Sequence, residues 1–454
     1  MLKFINFLNK LGFGRGKLKK INNLILENYL KKNNIEKIYY KYYEKKFILY
    51  PFDNATDNKI IVSSKKYDFK ELEYLNEISK NQHSVFLDIG ANMGYYSIMS
   101  SNFGFDKIYA FEPLPKMIKR MSENIKINNL EDLIEIIPKD TASKANKALK
   151  SAFELNQMGV KVVIGPVFYE SITYLDEIKD ITFLSLTNKT LDLPKNVISA
   201  GINSTSQFNT IKKFLETNKI KRTIFLTPIQ NYEFEVKKGI KESKIKIFKD
   251  YDYITEPTKL TKQIEEITNY QIRKQNLEDE ILRLKKSNQP NKEKKIKKLE
   301  QRYTLGGLNF DAVVIADFDE SLKSVSTSLL YTDVSPKNKY FITLNQWFSK
   351  SLLNEIDIQP LYYPSINQNN FQNYKDKFFK EFNEYPSHLS LLSYDLVGLV
   401  YYLSLKTNLS NLNKVFKKKN SFKGKIGIFD IKNNKINHRL NFYKIEEKKI
   451  TEIF

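Results

Sequence analysis

The run Val85-Phe86-Leu87-Asp88-Ile89 passes without a spacer into Gly90-Ala91-Asn92-Met93-Gly94, and this junction constrains the fold more than any other feature of the chain. A short apolar run closed by glycines reads as a buried strand ending in a tight loop. After a helical stretch comes Tyr109-Ala110-Phe111-Glu112-Pro113, a second strand that ends in an acid. Strand, glycine loop, helix and strand together open a doubly wound α/β sheet. In such sheets a ligand sits beyond the carboxyl ends of the strands, where glycines let the backbone approach and an acid on the next strand accepts bonds from ribose hydroxyls. Asp88, Gly90, Asn92, Gly94 and Glu112 are therefore the candidate cofactor-binding residues. The Asp-x-Gly-x-Asn-x-Gly spacing lacks the Gly-x-Gly-x-x-Gly of a dinucleotide site, which makes a pyrophosphate the poorer guess. By spacing alone, a purely structural strand-turn-helix junction competes with the binding reading.

On these residues the segment from about Lys46 to Lys139 resembles the first half of an FkbM-type S-adenosylmethionine-dependent methyltransferase. The resemblance implies that the loop from Asp88 to Ser97 holds the methionine part of the cofactor and Glu112 its ribose. Asn124, within Ser122-Glu123-Asn124-Ile125-Lys126, also fits the family's pattern. What that family carries next, a strand ending in a Lys-Ile-Asp-Val-Glu-Gly-like sequence and the strands that shape an acceptor site, does not occur downstream. The catalytic half is absent or replaced, so the resemblance implies weak S-adenosylmethionine binding and no methyl transfer.

The change of pattern falls near Pro138 to Thr141. From Ile134-Glu135-Ile136-Ile137 the chain continues with a helical pattern through Ala145, Ala148, Leu149, Ala152 and Leu155, then the strand Val160 to Ile164 and the turn Gly165-Pro166. Further strands are expected at Thr182 to Leu186, Arg222 to Thr227, Ile245 to Tyr251, Asp311 to Ala316 and Lys339 to Leu344, mostly separated by helices. That alternation predicts parallel sheets covered on both faces. The Ile134 to Thr141 strand, Val160 to Ser171, Phe183 to Thr190, Asn345-Gln346-Trp347, Ser393-Tyr394-Asp395 and Ser421 to Ile431 carry a resemblance to the type 1 periplasmic-binding-protein fold. Within that fold they resemble the penicillin-binding protein activators, relatives of leucine-binding receptors. This resemblance spans about residues 134–454, without the family's opening strand and first helix.

By that resemblance the ligand cleft lies between two lobes, with Phe168, Tyr169, Ser171, Ser185, Thr187, Asn188, Tyr232, Asp317, Phe318 and Trp347 as candidate lining residues. The loops lack the serine and threonine clusters with which receptors of this kind grip an amino-acid backbone, which argues against amino-acid capture. The activator resemblance implies contact with a peptidoglycan synthase, a penicillin-binding protein, as the alternative to a small polar ligand.

Residues 258–303, highly charged with Leu260, Ile264, Leu277, Ile281 and Leu284 at helical spacing, read as a helical hairpin inserted in the second lobe: a partner-touching arm or a solvated cap. Residues 1–45 form an N-terminal extension, with Leu18 to Tyr43 expected as a helix. Leu389 to Leu405 is apolar but interrupted by Asp395 and reads as a core helix rather than a membrane span. The start of the chain carries no convincing signal peptide, so the product as encoded is expected to be soluble and cytoplasmic, although the binding-protein family works outside the inner membrane. The chain has no cysteine, hence no disulfide, thiolate nucleophile or thiol metal site. The net charge of +22 suggests nucleic acid, but seven of the 74 basic residues are arginine and these are scattered, so weak adhesion to anions is expected and specific recognition is not. His83, His388 and His438 have no metal-ligand spacing and read as surface or capping residues. Ser171 lacks a glycine-flanked elbow, so no hydrolase is suggested.

The fold class is thus α/β: a class I methyltransferase-like half domain (46–139) fused to a two-lobed type 1 periplasmic-binding-protein-like domain (134–454), both with mostly parallel sheets. The function expected is a non-enzymatic binding or regulatory protein. The rivals are an FkbM-type methyltransferase whose acceptor site is completed by the fused half, and an accidental gene fusion without selected function. A shared sheet is expected at the seam, in the order 134–137, 108–111, 85–89, 160–164, 182–186.

Overall fold

The computed structural model describes residues 28, 30–33, 35–62, 67–80, 84–137, 143–382, 384–406, 412–417 and 419–454. The seam at Pro138 to Thr141, His83 and the front of the expected Leu18 to Tyr43 helix, residues 18–27, lie outside them. The chain divides into two compact units, Met1–Ala142 and Ser143–Phe454.

In the first unit Ile38–Tyr42 is a strand, not the end of a helix, and pairs antiparallel with Lys45–Leu49. The reason is its period of two: Ile38, Tyr40 and Tyr42 are buried while Tyr39 and Lys41 face water. The glycine-loop sheet has three parallel strands in the order Val85–Ile89, Lys107–Phe111, Ile134–Ile137. One face, with Ile108, Ala110 and Ile134, is packed by Leu72, Ile98, Met121 and Ile125 from the helices Phe69–Ile78, Tyr95–Met99 and Pro115–Lys126. The register places Val85, Leu87 and Ile89 on the other face, and there they are 51, 49 and 82 % exposed.

The Val162–Ile164 strand pairs with Thr182–Ser185 and not with Val85–Ile89. The expected shared sheet of five strands is therefore replaced by two separate sheets. Only three residues of that strand are extended, so a second edge would offer one or two ladder bonds, each worth about 1 kcal/mol net, to hold a distant strand.

Among the described residues the second unit has two sheets. One runs Asn420–Lys423, Ile428–Lys432, Lys435–His438, Val197–Ser199, Thr182–Ser185, Val162–Ile164; the other runs Lys249–Tyr253, Thr223–Pro228, Ala312–Ile315, Tyr340–Thr343, Leu361–Ser365, Asn441–Glu446, Lys449–Glu452. Hydrophobic clusters lie on both faces of each, the layering that parallel strands require. The chain crosses from the first sheet to the second after Ser199, back after Ser365, and across again after His438, so the sheets belong to two lobes joined by three crossings. Buried polar side chains tie these crossings. Asn203 Nδ2 donates to Ile436 O at 2.8 Å, the His438 N–H to Ser206 Oγ at 3.0 Å, and Tyr443 OH to Ile366 O at 2.9 Å. His438 is accordingly buried rather than superficial, its Nε2 3.0 Å from Ala200 O.

Most expected strands sit within a residue of their places, but Ile245 to Tyr251 becomes Lys249–Tyr253. Lys244 takes a left-handed backbone after its helix, and Ile245 drops its side chain into the core instead of the ladder. The charged insertion comprises three helices, Pro257–Thr268, Tyr270–Lys286 and Lys292–Leu299, because Asn269 at φ +51° breaks the first arm in two.

Candidate functional site

In the first unit the glycine loop is built by its own backbone. The N–H groups of Gly90 and Ala91 both donate to Phe111 O, at 2.9 and 3.0 Å, stitching the loop to the end of the neighbouring strand. Gly90 and Gly94 have φ of +82° and +89°, where a side chain is strained, and a Cβ on Gly94 would stand 2.9 Å from Met121 Cγ. Asp88 is buried and accepts both the N–H and the hydroxyl of Ser97, at 3.0 and 2.6 Å, so it anchors the helix that follows the loop. Burial pushes its carboxyl above the ordinary range, against those bonds. Glu112 accepts the Asn92 N–H on Oε2 at 2.8 Å and the Leu114 N–H on Oε1 at 2.9 Å. Each oxygen keeps a further lone pair, so the carboxylate that shapes the loop is still chemically able to accept a ribose hydroxyl. Asn54 Nδ2 donates to Asn92 Oδ1 at 2.6 Å, and Asn124 bridges the Ile48 N–H and Met93 O at 2.7 and 3.1 Å. Asn54 came from a segment with no glycine or strand signal, which is why sequence reasoning passed over it.

In the second unit a cavity of about 360 Å³ opens between the lobes. Phe168, Tyr169, Thr187, Asn188, Phe318 and Trp347 line it together. The other four candidates do not: Ser171 is buried without a hydroxyl partner, and Ser185 Oγ donates to Pro166 O at 2.7 Å. Tyr232 OH donates to Asp317 Oδ1 at 2.9 Å, and Tyr253 OH to Asp317 Oδ2 at 2.5 Å, so these groups satisfy one another beneath the surface. Gln207, Asn345 and His388 also line the cavity. Asn345 follows the strand Tyr340–Thr343 in the same turn as Trp347, whereas Gln207 lies in the helix Ser204–Thr217 and His388 at a helix start, away from the loops after strand ends where contacts were expected.

The cavity's polar groups are partly committed. Gln207 Oε1 accepts the Asn345 N–H at 2.7 Å, and Asn345 Oδ1 accepts Ser365 Oγ at 2.8 Å and the Trp347 N–H at 3.1 Å. This knot holds the Trp347 loop, where Trp347 and Phe348 both adopt positive φ. The Trp347 ring stacks on His388 at 4.5 Å and 24°, joining loop and helix across the mouth. Burial pushes the His388 imidazole below its ordinary pKa. Lys189 Nζ sits 4.5 Å over the Tyr169 ring, and Gly201 packs so closely that a Cβ would stand 2.6 Å from Thr187 O. Among the described residues no group of three or more histidines and carboxylates could hold a metal ion.

Comparison with known proteins gives two different answers along the chain. Residues 55–182 match the TRM5/TYW2 methyltransferase domain. A stretch of 65 residues is 38% identical to the ribosomal protein L11 methyltransferase of Carboxydothermus hydrogenoformans, covering 14% of this chain and 21% of that protein. The chain thus spans about a fifth of the curated relative it matches. In structure, a putative branched-chain amino acid ABC transporter protein from Rhodospirillum rubrum matches with a TM-score of 0.51 at 10% identity, over 70% of this chain and 88% of that one. An ABC transporter substrate-binding protein from Desulfitobacterium hafniense solved with Leu gives 0.46 at 13% identity, over 76% of this chain and 98% of its own. Full-length LpoA from Haemophilus influenzae gives 0.47 at 12% identity, over 89% and 70%. The chain therefore combines a methyltransferase domain with a periplasmic-binding-protein-like fold, both α/β with mostly parallel sheets. The methyltransferase match runs past Ala142 to include Ala145–Gln157 and Val162–Ile164, which belong to the second unit's lobe.

Proposed function

We propose that the chain is a non-enzymatic binding or regulatory protein whose working site is the cleft of the second unit, taking a small polar ligand. The observation that carries this is the convergence of Phe168, Tyr169, Thr187, Asn188, Phe318 and Trp347 on one cavity of about 360 Å³, within the size range of small-molecule sites. The aromatic rings supply apolar walls, and Thr187, Asn188 and Lys189 supply the polar contacts that orient a guest. In this reading the second unit is of the leucine-binding and activator type, and the first is the opening half of an FkbM-type enzyme. Its glycine loop and Glu112 fit the ribose and methionine parts of S-adenosylmethionine, which supplies an electrophilic methyl group when bound. The bare Val85, Leu87 and Ile89 face supports weak cofactor binding without an acceptor site.

A second reading, an active S-adenosylmethionine-dependent methyltransferase, is favoured by the family match that continues beyond the third strand to residue 182. The test is a thermal-shift screen of the full chain against L-amino acids, short carboxylic acids and S-adenosylmethionine, followed by a methyl-transfer assay. The binding reading expects a solute other than S-adenosylmethionine to stabilise the chain, and no turnover. Turnover that disappears in Asp88→Ala would establish the second reading instead.

A further inference from the structure

The helix His388–Ser404 has the composition of a fully buried element, yet half of it is not buried. Its inner row, Leu391, Leu392, Leu396, Leu399 and Leu403, packs into the lobe. Its outer row, Tyr394, Val397, Tyr401 and the following Leu405, recurs at i, i+3, i+7 and i+11 and is between 53 and 67 % exposed. A helix apolar on all sides belongs in a core, and one that faces water carries charges on that side. Here the sole carboxylate, Asp395, turns inward. Its Oδ1 accepts the Lys425 N–H at 2.6 Å and its Oδ2 the Ile426 N–H at 2.9 Å, so it fixes a turn and leaves the outer row without any charge.

Beside that row is a concave groove of about 570 Å³, between the helix and the Asn420–Lys423 strand. Gly398 forms part of its lining, and a Cβ there would meet nothing within 4 Å, so the groove floor is open backbone. Tyr402 and Phe422 face each other edge-to-face at 6.0 Å across it. Lys423 and Lys425 stand on the rim, and neither has an ion-pair partner among the described residues. Asp395, held inward by the two backbone donors, lies among the lining residues and attracts Lys425, so the groove is apolar at its floor with Lys423 and Lys425 at its edge.

We infer that this groove docks an amphipathic helix of a partner protein, one that presents an apolar row flanked by carboxylates. Charge decides the occupant. A second copy of this chain brings a net charge of +22 against a basic rim, which repels. A concave floor with an open glycine receives protruding side chains at helical spacing, which a flat lipid surface does not supply. The inference is independent of the interlobe cleft, which has a different lining.

The test uses the full chain and two fluorescein-labelled synthetic peptides of about 18 residues, five helical turns, with leucine at every third or fourth position. One carries glutamate at the remaining positions and the other lysine. The glutamate peptide should bind saturably by fluorescence anisotropy and the lysine peptide should not. Lys423→Glu with Lys425→Glu, and separately Val397→Ser with Tyr401→Ser, should each weaken binding about tenfold or more. Lys285→Glu with Lys286→Glu, on the charged insertion, should leave it unchanged. Circular dichroism and thermal midpoints of all variants guard against unfolding. Equal binding by every variant overturns the proposal. So does preferential binding to phosphatidylglycerol vesicles, or a dimer in light scattering that Val397→Ser with Tyr401→Ser dissolves.

Discussion

Thr223–Pro228 and Val85–Ile89 are both apolar strands of parallel sheets, yet every residue of the first is buried while in the second only Asp88 is. An apolar run in sequence announces a strand; whether both faces are covered depends on what the chain adds later. In the second unit it returns across the lobes three times and supplies helices to both faces. In the first, the glycine-loop sheet has three strands among the described residues, with the glycine loop and Glu112 at their carboxyl ends, and Val85, Leu87 and Ile89 stand 51, 49 and 82 % exposed. A cofactor loop is a local structure, made by a few backbone bonds, whereas an acceptor site needs the far half of a sheet.

The comparison is broken most sharply by truncating one side chain in each strand. Phe225→Ala removes a ring from a fully buried position and should cost about 3–5 kcal/mol in urea unfolding, whereas Leu87→Ala should cost less than about 0.5 kcal/mol. Equal losses would mean that the open face is covered in solution. A pH titration separates the units next. Asp57, fully buried in the first unit, accepts the Tyr50 N–H but leaves Oδ1 without a partner, and burial raises its pKa from 3.8 to about 6. Between those values the folded form holds a proton that the unfolded form does not, so the first unit should gain up to about 3 kcal/mol as pH falls from 7 to 4. Asp57→Asn should abolish that gain. In the second unit His438 is buried with Nδ1 unpartnered and its pKa depressed, so the sign reverses: stability falls as pH drops below the 6.5 of the unfolded imidazole. Gly201→Ala comes third, at about 1–3 kcal/mol from the collision with Thr187 O, and should lower solute affinity because that carbonyl borders the cleft. The smallest effect is expected from Ile89→Lys, within about 0.5 kcal/mol in unfolding, with reduced self-association at high concentration read by light scattering.

Much of this architecture was legible in the sequence, because strand runs and glycine loops are local. The Val85 junction, the alternation from Thr182 to Leu344 and the charged insertion each state their own structure. What was not legible is set by partners distant along the chain. Ile38–Tyr42 was hidden in a lysine- and tyrosine-rich stretch that composition made helical, although its alternation favoured a strand. The pairing of Val162–Ile164 depended on how many of its residues became extended, which no motif encodes. In the cleft, a search of loops after strands reached Phe168, Thr187 and Trp347 but also collected Asp317, whose carboxylate is consumed by two tyrosines below the surface. Gln207, Asn345 and His388 come together only through the crossings between lobes. The outer row of the His388 helix was visible as hydrophobicity, but its exposure is set by how distant elements pack.

The central claim is that the cleft, not the glycine loop, is the working site, and the chain's single tryptophan stands in that cleft. Trp347 emission should therefore shift saturably when the full chain is titrated with a solute selected by thermal shift, lose that response in Gly201→Ala, and ignore S-adenosylmethionine. An emission unmoved by every amino acid and short carboxylic acid tested, together with methyl transfer that requires Asp88, would contradict the account.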